Sequence, residues 1–164
     1  MLDNYLGLPL MMVEEKRTAS LRRPRYGFLG DVREKDYGGF EYRTPASFIV
    51  DKAVTAAALC IAYLIGIHHM DLAAADIYEP NLQTAFYQGN REALFPLVER
   101  NFSVLRKLPM YDRYREYIDP LSQMIQARET WDESVDIRTE WGIPLEKRVR
   151  QQARRGKSKT KNVG

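Results

Sequence analysis

The chain has a single cysteine, Cys60, so no disulfide can form within it. A lone thiol inside an apolar helical run, with no secretory leader ahead of it, predicts a reducing compartment, the cytoplasm, and a packed side chain. Histidine is almost as scarce: there are two, His68 and His69. Neighbouring residues on a helix point about 100° apart, so this pair cannot chelate a metal in the i, i+4 manner. At the end of a helix they are better read as groups that favour the negative pole of the macrodipole. Long apolar runs are also missing. The longest, Ala53 to Ile67, is interrupted by Thr55 and falls short of the roughly 20 residues that a bilayer crossing needs, which predicts a buried helix and no membrane role. Neither sign of charge dominates, since 25 Lys and Arg against 22 Asp and Glu leave a net charge of +3. The basic excess is confined to Arg17 through Arg25 and to the segment after Glu146. A length of 164 residues suits one domain with a sizeable core and is too short for two.

What the chain does contain is organised around Gly38 to Phe48, GGFEYRTPASF. Phe40, Tyr42 and Thr44 alternate with Glu41 and Arg43, the period-2 pattern of a β-strand, which places the carboxylate and the guanidinium on one face. Gly38 and Gly39 supply a turn or bulge before the strand, and Pro45, lacking an N–H, ends it. A carboxylate suits a hard cation and a guanidinium fork suits phosphate oxygens, so the two together suit a metal–phosphate site; they suit a cross-strand ion pair equally well.

Upstream, Leu2 to Val13 is dense in apolar side chains, with Gly7 and Pro9 expected to break the helical pattern after one or two turns. Such a stretch implies packing partners on another chain or upstream, or a short terminal helix docked on its own core. Glu14 to Lys35 is charged and rich in turn residues, and Pro24, Gly27 and Gly30 predict an irregular connection. Its arginines, Arg22, Arg23 and Arg25 above all, either form an anion pocket for triphosphate or nucleic-acid phosphate or solvate a loop. Ser47 or Asp51 can cap the helix that follows, whose apolar residues from Ala53 to Ile67 cover nearly all faces and mark it as central. Helical spacings then recur in Ala73 to Ile77, Leu82 to Tyr87, Ala93 to Leu105 and Tyr114 to Ala127. The segment Trp131 to Ile143 closes the folded part, with Trp131 and Trp141 as anchors. The expected architecture is α+β and mostly helical, with a short antiparallel β element around residues 38–44 packed on the central apolar helix. Residues 1–145 form the single domain, and 146–164 a basic segment without an apolar stripe, expected to be disordered and to attract nucleic acid nonspecifically.

The run RRPRYGFLGDVREKDYGGFEYRTPASF resembles the signature of phage and bacterial carboxylate-amine ligases of the amidoligase group. LDNYLGLP before it and DIRTEWGI after it are similar to that group too, so the resemblance spans most of Leu2 to Ile143. The group is similar in fold to glutamine synthetase and glutamate-cysteine ligase, and the chain resembles the C-terminal part of such a catalytic domain. The resemblance implies ATP and Mg²⁺ as cofactors, Glu41 as a ligand of the catalytic cation, and Arg43 as a contact to the transferred phosphate or the acyl phosphate. It implies that Arg22, Arg23 and Arg25 hold nucleotide phosphates, and that the substrates are a carboxylate and an amine, either small molecules or protein groups. Ligases of this kind carry further acidic metal ligands and a His-x-His strand upstream of the segment that LDNYLGLP resembles, and one carboxylate cannot hold two or three Mg²⁺ ions. The chain is therefore expected to be inactive alone and to need an N-terminal half, on a separate chain or within a homo-oligomer, in the cytoplasm of a host if phage-encoded. The alternative is a non-catalytic basic module that binds nucleic acid or a protein partner.

Overall fold

The computed structural model describes residues 1–144 except 24, 74 and 75, so the basic segment 146–164 lies outside the described residues. The chain opens with a π-helical turn, Asp3–Gly7, that runs straight into α1, Leu8–Val13. Pro9 does not break this helix. It lacks the N–H that an interior residue would donate, and it follows a wide turn in which Leu8 N–H bonds to the Asp3 carbonyl, so the helix continues through it. Leu8, Leu10 and Val13 have no exposed surface, so of the two expectations for this stretch the docked terminal helix is the one observed.

α2, Lys16–Arg22, occupies the first half of what the sequence suggested was an irregular connection. Lys, Arg, Ala and Leu are good helix formers, and Ala19 is buried by this turn structure. The irregular part begins after Arg22, where Gly27 and Gly30 take φ values of +82° and +74° that side chains with a Cβ seldom adopt. β1, Val32–Glu34, then pairs antiparallel with β2, Phe40–Tyr42, in the register Val32 to Tyr42, Arg33 to Glu41 and Glu34 to Phe40. Pairing extends one step further through Arg43 N–H to the Asp31 carbonyl, at 2.8 Å.

A 3-10 turn, Phe48–Val50, leads into α3, Lys52–Ile67, capped by Asp51, whose carboxylate accepts from Val54 N–H at 2.9 Å. α3 packs most extensively on α6, Tyr111–Ala127, through the fully buried Ile61, Leu64, Ile118 and Leu121. Each such side chain contributes about 1.5–3 kcal/mol on burial. α3 is not covered all round, contrary to its composition: Leu59 is 63% exposed, and Tyr63 and Ile67 share that open face. Between these helices run a 3-10 turn, Asp76–Tyr78, then α4, Pro80–Gln88, and α5, Arg91–Leu105. The last two are separated by Gly89, at φ +64°, and by Asn90, which caps α5 by accepting from Ala93 N–H. α7, Ile137–Glu140, closes the described chain. Trp131 is buried and its N–H reaches the Val13 carbonyl at 3.0 Å, while the Trp141 indole donates to the Ile49 carbonyl at 2.7 Å, so both tryptophans do fasten this segment. The architecture is α+β, mostly helical with one two-stranded antiparallel sheet. Among the described residues no helix is long and apolar enough to cross a membrane.

Candidate active site on the hairpin

The register of the hairpin divides its side chains between two faces. Val32, Glu34, Phe40 and Tyr42 alternate out to one face; Arg33 and Glu41, directly cross-strand, occupy the other with Lys35 and Arg43 beside them. On the polar face the Glu41 carboxylate accepts from Arg33 and from Lys35, both at 2.5 Å, and Arg43 Nε lies 3.9 Å away. The hydrogen bond from Lys35, then that from Arg33, pull the Glu41 carboxyl down to about 2. Three cations thus surround one carboxylate on a solvent-facing surface, an arrangement with an excess of positive charge.

Arg43 is positioned from behind. Its guanidinium stands 5.4 Å above the Tyr26 ring and 3.6 Å from the Asp31 carboxylate, whose other oxygen accepts from Gly27 N–H at 2.8 Å. Arg22 lies over the same Tyr26 ring at 4.8 Å and donates to the backbone carbonyls of Thr44, at 2.8 Å, and of Arg43. Two guanidiniums sharing one aromatic ring join the arginine-rich loop to the strand end, which is how the bend at Gly27 matters: a Cβ there would run into the Arg22 guanidinium.

The three loop arginines do not converge. Arg22 faces the strand end. Arg23 turns the other way, over Phe86 at 4.7 Å and onto Glu14 at 2.6 Å, forming an ion pair whose partners are 9% and 1% exposed. Burial raises the Glu14 carboxyl, partly offset by Arg23, and lowers the Arg23 guanidinium. Arg23 also lines a cleft of about 600 Å³ with Lys16, Tyr87 and Arg91. Arg25 is exposed to solvent. The histidines sit at the end of α3, where His68 Nδ1 is 3.4 Å from Asp71 and His69 Nδ1 is 3.1 Å from the Gly66 carbonyl. Among the described residues no three His, Cys, Asp or Glu side chains gather so as to hold a metal ion.

The residue that sequence reasoning missed is Asp3. It is 5% exposed and ties three segments together: its Oδ1 accepts from the Tyr42 hydroxyl at 2.6 Å and from Thr44 at 3.1 Å, and its Oδ2 from Gly30 N–H at 2.8 Å and from the Tyr78 hydroxyl. The strand that carries the polar face is therefore anchored on the first turn of the chain, with Tyr42 so close over Gly7 that a Cβ there would strike its hydroxyl. The signal was present: a carboxylate within the apolar run LDNYLGLPLMMV is either exposed at a break or buried with partners, and the helix is unbroken.

Comparison with known proteins adds the family. No curated protein and no solved structure gave a match. The family model described as "Phage phiEco32-like COOH.NH2 ligase-type 2" matches residues 1–143, which takes in the Asp3 anchor, the arginine-rich loop and both strands. With 143 of its 164 residues inside that match, the chain belongs to the phage phiEco32-like family of COOH-NH2 ligases, type 2.

Proposed function

We propose that the protein forms part of an ATP-dependent carboxylate-amine ligase. A substrate carboxylate attacks the terminal phosphorus of ATP, ADP leaves, and the resulting acyl phosphate is attacked at its carbonyl carbon by an amine, giving an amide and inorganic phosphate. The observation that supports this reading is that the segment matching the family folds into a hairpin whose polar face gathers Arg33, Lys35 and Arg43 around one carboxylate. Positive groups fixed by an aromatic ring and an aspartate, rather than by mobile solvent, are what the charge developing on a transferred phosphoryl group requires. Arg43 is the phosphoryl contact in this proposal. Arg22 holds the strand end that carries Arg43, and Arg25, exposed, is the loop arginine left to meet nucleotide phosphate.

The residues of the polar face do not fit Mg²⁺ by themselves. Glu41 is already engaged by two cations at 2.5 Å, and a six-coordinate dication needs several oxygen ligands. Glu41 becomes a metal ligand only where a partner chain brings further carboxylates and draws Arg33 or Lys35 away from it. The proposal therefore includes a second chain, or a second copy, that completes the site. ADP release by the full chain, alone and mixed with a candidate partner, tests this. Amine-dependent release is expected only from the mixture and is expected to fall at least about 100-fold in Arg43→Gln. Robust amine-dependent turnover by the chain alone would overturn the two-chain reading, and full activity of the Arg43→Gln mixture would overturn the site.

A further inference from the structure

Between the hairpin and α3 lies a groove of about 640 Å³, lined by Val32 and Phe40 on one side, Leu2 and Leu6 at the first turn, and Ala62 and Ile65 of α3 on the other. No lysine or arginine lines it. Its polar side chains are Asp3, two phenols, Tyr42 and Tyr78, and one imidazole, His69, and Met1 also lines it.

The charge of Asp3 is the unusual element. A carboxylate at 5% exposure is normally balanced by a cation, yet the four groups that hold it, two phenols, one alcohol and one peptide N–H, are all neutral. Neutral donors stabilise the anion and leave its negative potential in place, and an apolar surround weakens that potential far less than water would. The phenols carry it to the groove. Each commits its one proton to Asp3, so what its oxygen has left to offer is lone pairs. Burial and the aspartate hold the Tyr78 hydroxyl at about 12 and push that of Tyr42 higher, which keeps both protons in place at neutral pH.

We propose that this groove binds a primary ammonium group carried on an apolar body, the ammonium donating to the phenolic oxygens of Tyr42 and Tyr78 with Asp3 behind them, and the body filling the apolar lining. A neutral alcohol would gain the lining but not the charge; a carboxylate would be repelled. In identifying this ligand with the amine substrate, the proposal rests on the ligase reading above; as a binding site it does not.

The test uses the full-length chain at pH 7 with three probes of one shape: benzylammonium, benzyl alcohol and benzoate. Two-dimensional amide NMR follows Gly30, whose N–H donates to Asp3 at 2.8 Å, as the local reporter. The expected result is saturable movement of the Gly30 resonance by benzylammonium with a Kd about tenfold below that of benzyl alcohol, and no saturation by benzoate. Tyr78→Phe, a change at a side chain 42% exposed, is expected to weaken benzylammonium about three- to fivefold and to leave benzyl alcohol unaffected. Equal affinity for the ammonium and the alcohol, movement confined to residues away from the groove, or no binding of benzylammonium would each overturn the proposal. Absent binding together with intact amine-dependent ADP release would reject this site alone; specific ammonium binding with no turnover in any mixture would reject the ligase reading alone.

Discussion

Removing one half of the Glu14–Arg23 pair is expected to be the most damaging conservative change in the molecule, and removing both halves is expected to be nearly harmless. In Arg23→Met the Glu14 carboxylate, 1% exposed, loses the guanidinium 2.6 Å away while staying enclosed. Breaking a buried pair in this way costs about 3–5 kcal/mol, a large share of the ~5–15 kcal/mol that holds a domain together. For a chain of this size each kcal/mol moves Tm by roughly 2–4 °C, so Tm should drop by about 6–20 °C. Glu14→Leu with Arg23→Met replaces two desolvated charges by apolar groups against Phe86, and its stability should return to within about 1 kcal/mol of the parent.

The pH dependence carries a sign that distinguishes this account from a simple packing defect. Burial raises the Glu14 carboxyl above its ordinary value. A group whose folded pKa is raised favours the fold in its protonated form: that contribution is complete below the ordinary carboxylate pKa and is lost as pH rises through the raised one. Without Arg23 the carboxyl rises further, so Arg23→Met should lose more stability at pH 8 than at pH 5. Urea unfolding followed by circular dichroism at both pH values, with unchanged m, measures it. A single mutant within about 1 kcal/mol of the parent at pH 8, or a double mutant worse than the single, would refute the reasoning.

Two further expectations concern the anchor and the polar face. Gly7→Ala places a methyl group against the Tyr42 hydroxyl and should cost about 1–3 kcal/mol, recovered in part by Tyr42→Phe; an unchanged Tm in Gly7→Ala would show that the strand can shift freely. Glu41, held down at about 2, contributes stability that is present above the ordinary value of 4.5 and lost as pH falls through 2, so its carboxyl resonance should titrate near 2 and move up in Lys35→Gln and Arg33→Gln. Titration in the ordinary carboxylate range in the unaltered chain would count against the three-cation arrangement.

The helices were legible because their apolar residues recur at three and four, and α3, α4 and α5 start or stop at signals the chain states openly: the cap Asp51 for α3, Pro80 for α4, and Gly89 with Asn90 between α4 and α5. The second strand of the hairpin was legible from alternation; its partner, Val32–Glu34, was not, because it falls within the charged, turn-rich stretch that read as an irregular connection. The helix through Pro9 was not, because a proline's local veto can be absorbed by one wide turn when the surrounding residues are buried. The divergence of Arg22, Arg23 and Arg25 was not legible either. Three cations in four positions look like one patch in a sequence, but α2 ends at Arg22, and from that end Arg22 turns to the strand, Arg23 to Glu14 and Arg25 to solvent.

Asp3 shows why the site itself was only half readable. Its partners are 27 to 75 positions away, at Gly30, Tyr42, Thr44 and Tyr78, and none of those residue types announces a buried acceptor. A two-stranded hairpin is marginal in water on its own, and this one has only short strands. It persists because Tyr42 and Thr44 bond a buried carboxylate and because Arg22 clamps the carbonyls of Arg43 and Thr44. The same carboxylate supplies the negative potential at the base of the groove. One residue in the first turn therefore holds the strand that presents Arg43 and lines the groove beside it, so the two faces of the hairpin are held in register by a single side chain.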